Sequence, residues 1–271
     1  MSGLRSTLIA LNTVDRLLRG DFFHTVSLEE VLAELRGFPP EWPVSGLGTT
    51  NWYRRNGEIV IEGTAGGPSF LWADPAGGAP GRILDLLTHR PEHAEELTTP
   101  SMTDDEREPR MPFAAIGVED PERAQVIPFR PGDDVHAAIQ GTCEDANIGL
   151  AALRIEGELE SANYEEASHI PLGGAPSFDA LGKEHGRAER ERWRVSGLFA
   201  ANPTVQNIIS VLGRPVHLHG RSTDSNVGGH IASATSGATL IAQLWPLQDL
   251  VMRIHDLDTA WLPVRDLPTE D

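Results

Sequence analysis

The strongest constraint on the fold is a series of short apolar stretches in the C-terminal half, each closed by a turn former. "VSGLFA", "VHLHG", "GGHIASA", "ATLIAQLWPL" and "LVMRIHDL" are β-branched or aromatic and are separated by Gly, Asp, Ser or Pro. Segments this short and this punctuated predict antiparallel strands. With 27 Gly and 20 Pro in 271 residues, the chain has many turns and little room for long helix.

The alternation extends upstream. In "GEIVIEG", Ile59 and Ile61 point one way and Glu58, Val60 and Glu62 the other. In "LAALRIEGELES", Leu153, Ile155 and Leu159 alternate with Arg154, Glu156 and Glu158. "PFAAIGV" and "AQVIPF" read as short strands around a turn at Asp120 and Pro121. Helices are expected at the N-terminus. Leu8, Leu11, Val14 and Leu18 recur at helical spacing up to Gly20. Ser27 and Glu30 form a capping box for a second helix with an apolar stripe of Leu28, Val31, Leu32 and Leu35, and Gly37 is the expected left-handed C-terminal cap. The charge-dense stretches from His89 to Arg110 and in "ALGKEHGRAERERWRVSG" read as exposed connectors. The expected fold class is α+β, mostly antiparallel β, with the N-terminal helices packed on one edge.

A formal net charge of −18 opposes contact with nucleic acid and with anionic membrane surfaces. The single cysteine, Cys143, excludes an intramolecular disulfide and a Cys-rich zinc site, so any metal must be held by His and carboxylate. The N-terminal stretch is interrupted by Asn12, Asp15 and Arg16, which fits neither a signal peptide nor a membrane span; cytoplasmic residence is expected.

Three of the 10 histidines fall in "HLHGRSTDSNVGGH". On a strand, His217 and His219 share a face, with Val216 and Leu218 behind them. The intervening turn brings the next strand back antiparallel, so that His230 arrives beside the pair. Three neutral imidazoles leave a tetrahedral metal with an open position, the arrangement of a catalytic zinc. The bland alternative is a hairpin whose histidines face solvent. A cupin also uses His-x-His, but it places Glu about four residues beyond the second His, where this chain has Thr223, followed by Asp224. His24, His136, His169 and His255 have no such neighbours in sequence and read as surface or satisfied polar residues.

The His-Leu-His, acidic turn and Gly-Gly-His pattern resembles α-acetolactate decarboxylase. In order along the chain, "ALNTVDRLLRGDFFHTVSLEEVLAELRGF", "GLGTTN", "NGEIVIEG", "MPFAAIGV" and "ALRIEGELES" resemble further family segments. The resemblance implies two sheet-rich lobes in a single unit over residues 1–271, with a soft division near 140–160, and a homodimeric assembly. It implies Zn2+, or another divalent transition metal, on His217, His219 and His230, with Glu58 and Arg154 as catalytic residues. The implied reaction converts acetolactate, a small oxo-acid, to acetoin: the metal polarises the ketone and hydroxyl oxygens and accepts, as an enediolate, the electrons released with CO2. Arg154 would orient the carboxylate or the enediolate, and Glu58 would relay the proton.

Three departures stand out. Gly220 replaces the aromatic residue that the family usually has after His-Leu-His, "ANYEEASHIPLGG" replaces an Arg-Ser-Val-Pro-like stretch, and only Glu270 stands near the place of a C-terminal active-site Glu. They leave open a relative using the same metal site for isomerase, lyase or ring-forming chemistry on another oxo or enol substrate. A non-catalytic binding module is the third alternative, because a shorter plant and prokaryote conserved domain shares a similar histidine pattern.

Overall fold

The computed structural model describes residues 4–22, 25–52, 55–74, 82–87, 108–166, 177, 180, 184–211 and 213–254. Most of the 89–110 connector, together with His24, His169, His255 and Glu270, lies outside them. Two sheets face each other. The first contains β1 (Thr7–Leu11), β3 (Val44–Trp52), β4 (Arg55–Thr64), β5 (Gly67–Asp74), β6 (Arg82–Asp85), β8 (Phe113–Val118) and β15 (Asp249–Arg253), in the order β15-β1-β8-β3-β4-β5-β6. Only β1 and β15 run parallel within it. A two-stranded ladder of β2 (Val26–Ser27) and β7 (Arg110–Met111) lies apart from it.

The second sheet contains β9 (Gln125–Pro128), β10 (Leu150–Glu166), β11 (Glu184–Ala200), β12 (Val216–Ser222), β13 (Gly228–Ser236) and β14 (Ile241–Pro246). Because β10 pairs with β11, β13 and β14, the strands β10-β11-β12-β13 close on themselves as a small barrel. Leu153, Ile155, Tyr164, Trp193, Val195, Leu218 and Ile231 fill its interior. The helices are α1 (Val14–Leu18), α2 (Leu28–Leu35), α3 (Val135–Asp145) and α4 (Pro203–Ile209). Among the described residues no helix is long and apolar enough to cross a membrane.

The expected α+β class holds, and the capping box of α2 forms as read: Glu30 N–H donates to Ser27 Oγ and Ser27 N–H to Glu30 Oε2. Four local expectations are corrected. The N-terminal helix is confined to Val14–Leu18, because Thr7–Leu11 is a strand buried between two neighbours; with apolar residues needed on both faces, it lacks the two-residue period. The second "connector" is most of β11. Its Ala188, Trp193 and Val195 face the barrel core, while Arg187, Arg190 and Arg194 pair outside with Glu189, Glu160 and Glu156. Gly37 is not left-handed, since α2 closes at Arg36 in the right-handed region. The division between lobes falls between Val118 and Gln125, ahead of 140–160.

Between the sheets, Leu47, Phe113 and Ala115 pack against Ala152, Leu198 and Ala200. The approach is close at Gly117, where a Cβ would sit 2.4 Å from that of Ala152. This interface holds the polar groups that follow.

Candidate metal and substrate site

The hairpin reading places its histidines correctly. His219 lies directly opposite His230 in the β12–β13 ladder, and Gly220 opposite Gly229. The three rings converge, with centroids 4.8 Å apart for His217–His219, 5.1 Å for His217–His230 and 5.7 Å for His219–His230. From the other sheet comes Glu58, 8% exposed, with Oε2 3.3 Å from His219 Nε2. The alternation read from sequence is what aims it: Ile59 and Ile61 enter the core on the far side of β4.

Hydrogen bonding fixes the protonation of two rings. His217 Nδ1 meets the Ile209 carbonyl, and His219 Nδ1 meets the Ile59 carbonyl at 2.9 Å. A carbonyl only accepts, so each Nδ1 carries the hydrogen and each neutral ring offers an Nε2 lone pair. Burial is the largest cause holding both rings neutral, with the other imidazoles adding to it. The His217 pKa is pushed down to about 3, and that of His219 well below the usual imidazole value. The two Nε2 atoms nevertheless stand 3.1 Å apart, with the Glu58 oxygen beside them. Three acceptors facing one another repel unless a cation lies among them.

The spacing of the two histidine nitrogens suits a divalent transition metal. Two nitrogens about 2.0–2.1 Å from a tetrahedral zinc lie about 3.3 Å apart, close to the observed spacing. Backbone carbonyls holding the second ring nitrogen are the usual outer support of metal-binding histidine. The trio is gathered rather than closed: among the described residues no three or more His, Cys, Asp or Glu side chains stand, as they are, in a finished ligand arrangement. His230 also faces Glu165, its partner in the β10–β13 register, with Nδ1 3.6 Å from Oε2.

Arg154 is placed differently from what the resemblance implied. It shares a cross-strand row with Ser196 and His219, but its Nη2 donates to the Val44 carbonyl at 2.7 Å and to that of Gly63 at 3.3 Å. The guanidinium lies 5.6 Å from the centre of a Trp245 ring and 3.9 Å from Glu119 Oε2. It borders two clefts, neither lined by His217, His219 or His230. Glu119, which the sequence reading passed over, is fully buried and bonded by Ser45 Oγ–H; desolvation raises its pKa to about 7 against the pull of Arg154.

His136 was also missed. Carried by α3, it lies near enough to His230 and His217 to act on them electrostatically, and it shares with His230 a pocket of about 280 Å³ that also holds Arg214 and Gln140. Burial is the main cause lowering its pKa. The only local sequence signal was Asp134, the helix cap whose side chain accepts from Ala137 N–H. Gly220 faces away from all this: a Cβ there would lie 2.8 Å from Val195 Cγ2 and 3.3 Å from Ile231 Cδ1, inside the barrel core.

Fold and site together define a two-lobed α+β protein with a histidine cluster set between its sheets. The same fold occurs over nearly the whole chain in solved acetolactate decarboxylases. That of Bacillus subtilis strain 168 superposes with a TM-score of 0.67 at 16% identity, covering 97% of this chain and 95% of that one. That of Bacillus subtilis subspecies spizizenii gives 0.65 at 16% identity, covering 93% and 91%. A Staphylococcus aureus protein of unknown function similar to α-acetolactate decarboxylase gives 0.61 at 12% identity, covering 92% and 89%. No family model matches the sequence, and no curated protein matches it significantly.

Proposed function

We propose that this protein is a zinc-dependent carbon–carbon lyase of the acetolactate decarboxylase kind, converting 2-hydroxy-2-methyl-3-oxobutanoate or a close 2-hydroxy-3-oxo acid to the hydroxyketone and CO2. The observation that carries the reading is the convergence of His217 Nε2, His219 Nε2 and Glu58 Oε2, three acceptors between the sheets. The shared fold supports it.

His217, His219 and His230 would hold the ion, which supplies Lewis-acid polarisation of the ketone and hydroxyl oxygens. The chain's own part is proton control beside the cluster. Breaking the bond to the carboxylate releases CO2 and leaves its electron pair on the hydroxyl-bearing carbon. A proton must quench that carbon, and Glu58 is the carboxyl group beside His219. Arg154 acts at one remove, tying β10 to the carbonyls of β3 and β4.

Elemental analysis should find about one zinc per chain, and acetolactate should yield acetoin and CO2, both lost in His219→Ala. A protein that takes up no zinc and releases no CO2 refutes the reading. Zinc without CO2 favours a second one, the same site acting on another oxo or enol substrate. The diversion of Arg154 and the presence of Glu165 beside His230 motivate that reading; a product screen without gas evolution tests it.

A further inference from the structure

Arg214 is a cation without a described partner. Four arginines of this lobe are matched to acids, Arg187 to Glu189, Arg190 to Glu160, Arg194 to Glu156 and Arg221 to Glu62, whereas Arg214 joins Arg130 and Arg192 in having none among the described residues. Among the described residues none forms an ion pair or side-chain hydrogen bond with the guanidinium of Arg214. What sets Arg214 apart is its place: it is an exposed cation on the wall of a pocket that also holds His230.

Its position gives it a use. The pocket it lines, about 280 Å³, lies between α3 and the beginnings of β12 and β13, and His230 forms part of its wall. His230 is also a member of the histidine cluster, with its ring centre 5.1 Å from that of His217. The positive charge of Arg214 is felt at both His217 and His136. Gln140 offers a second donor: one amide hydrogen goes to Glu144 Oε1 at 2.8 Å, leaving the other for a ligand. The volume suits a metabolite of a few carbons.

We infer that this pocket is an anion subsite in which Arg214, helped by Gln140, binds the carboxylate of a small oxo- or hydroxy-acid whose other oxygens reach the histidine cluster. The inference deepens the proposed function and rests on it for the second half of the contact. It assigns the carboxylate contact to Arg214, whereas the Nη2 of Arg154 donates to the carbonyls of Val44 and Gly63. A forked guanidinium suits a carboxylate.

The test uses the full chain with zinc and two probes followed by calorimetry. One is 2,3-dihydroxy-2-methylbutanoate, which has a carboxylate beside a diol; the other is acetohydroxamate, which engages the metal but has no carboxylate. In Arg214→Gln the dihydroxy acid should bind about tenfold to a hundredfold more weakly, while zinc content, acetohydroxamate binding and thermal unfolding stay as in the parent. Arg214→Lys should restore part of the loss. Unchanged affinity for the acid, or an equal loss for both probes, overturns the inference. Failure to bind zinc counts against the proposed function instead, and the acid titrated into metal-free protein then decides the pocket: binding lost in Arg214→Gln sustains it, and no binding by the parent refutes it.

Discussion

Glu58→Gln separates a metal-binding cluster from an ordinary buried ion pair, because the two give opposite signs. Without metal, Glu58 Oε2 lies 3.3 Å from His219 Nε2, which itself lies 3.1 Å from His217 Nε2, and both rings spend their hydrogens on carbonyls. The amide of glutamine can turn its NH2 toward His219 Nε2, converting an acceptor–acceptor contact into a hydrogen bond worth about 1 kcal/mol net. The metal-free variant should therefore be about 1 kcal/mol more stable than the parent. For a chain of this size that is a rise of roughly 2–4 °C in melting temperature. With zinc the order reverses. Losing a carboxylate beside the ligands should weaken zinc about tenfold to a hundredfold, so the stabilisation gained on adding zinc shrinks by about 1.4–2.7 kcal/mol. Thermal unfolding of both proteins, in chelator and in a fixed excess of zinc, reads both effects. A metal-free Glu58→Gln protein less stable than the parent would show that His219 is an imidazolium paired with Glu58, and the neutral-acceptor assignment would fall.

Gly220→Ala should lower the urea midpoint by the equivalent of about 1–3 kcal/mol, since its Cβ meets Val195 Cγ2 at 2.8 Å in the core, and should leave zinc binding unchanged; intact stability with weakened zinc would place the residue at the pocket instead. Because His217 titrates near 3 and His219 well below normal, the unfolded chain takes up protons that the fold refuses as pH falls below about 6.5. Metal-free stability should then fall toward pH 3 by up to about 1.4 kcal/mol per pH unit for each imidazole, and a flat profile would exclude buried neutral rings. Glu119 opposes this slope: its pKa is raised to about 7, so its stabilising contribution is full below 4.5 and is lost as pH rises toward 7. Glu119→Gln should accordingly steepen the acid-side fall between pH 7 and 4.5, as measured by denaturation at a series of pH values.

What could be read in advance was whatever lay within one local pattern. The two faces of β4 are a two-residue alternation, and His217, His219 and His230 belong to one hairpin, so spacing alone brings them together. What could not be read depends on packing between distant segments. His136 is more than eighty positions from His217 and reaches the cluster only because α3 packs on β12 and β13. The carbonyls of Ile59 and Ile209 that orient two rings have no side-chain signature. The direction of Arg154 is set by the facing sheet, which offers Val44 O, Gly63 O and Glu119, so a strand period that put it on the face opposite Leu153 and Ile155 left its target open. Gly220 stood out as a departure directly after His219, yet successive strand residues face opposite ways, and it looks into the core.

The placement of the cluster also couples ligand binding to the docking of the lobes. His219 belongs to the barrel, but its Nδ1 is held by Ile59 of the first sheet, and the next side chain along that strand is Glu58. A cation drawing on both lobes' acceptors cannot bind tightly unless the sheets are pressed together, and when bound it opposes their separation. The chain reinforces this geometry: after β14 it returns to the first sheet, where β15 pairs in parallel with β1. The first lobe is therefore not a continuous segment, and a division near 140–160 would strand β9 and α3 away from the barrel they complete. The histidine cluster thus lies where separation of the lobes would be felt first, so zinc should raise the free energy of opening at β4 and β12 together, as amide exchange can read.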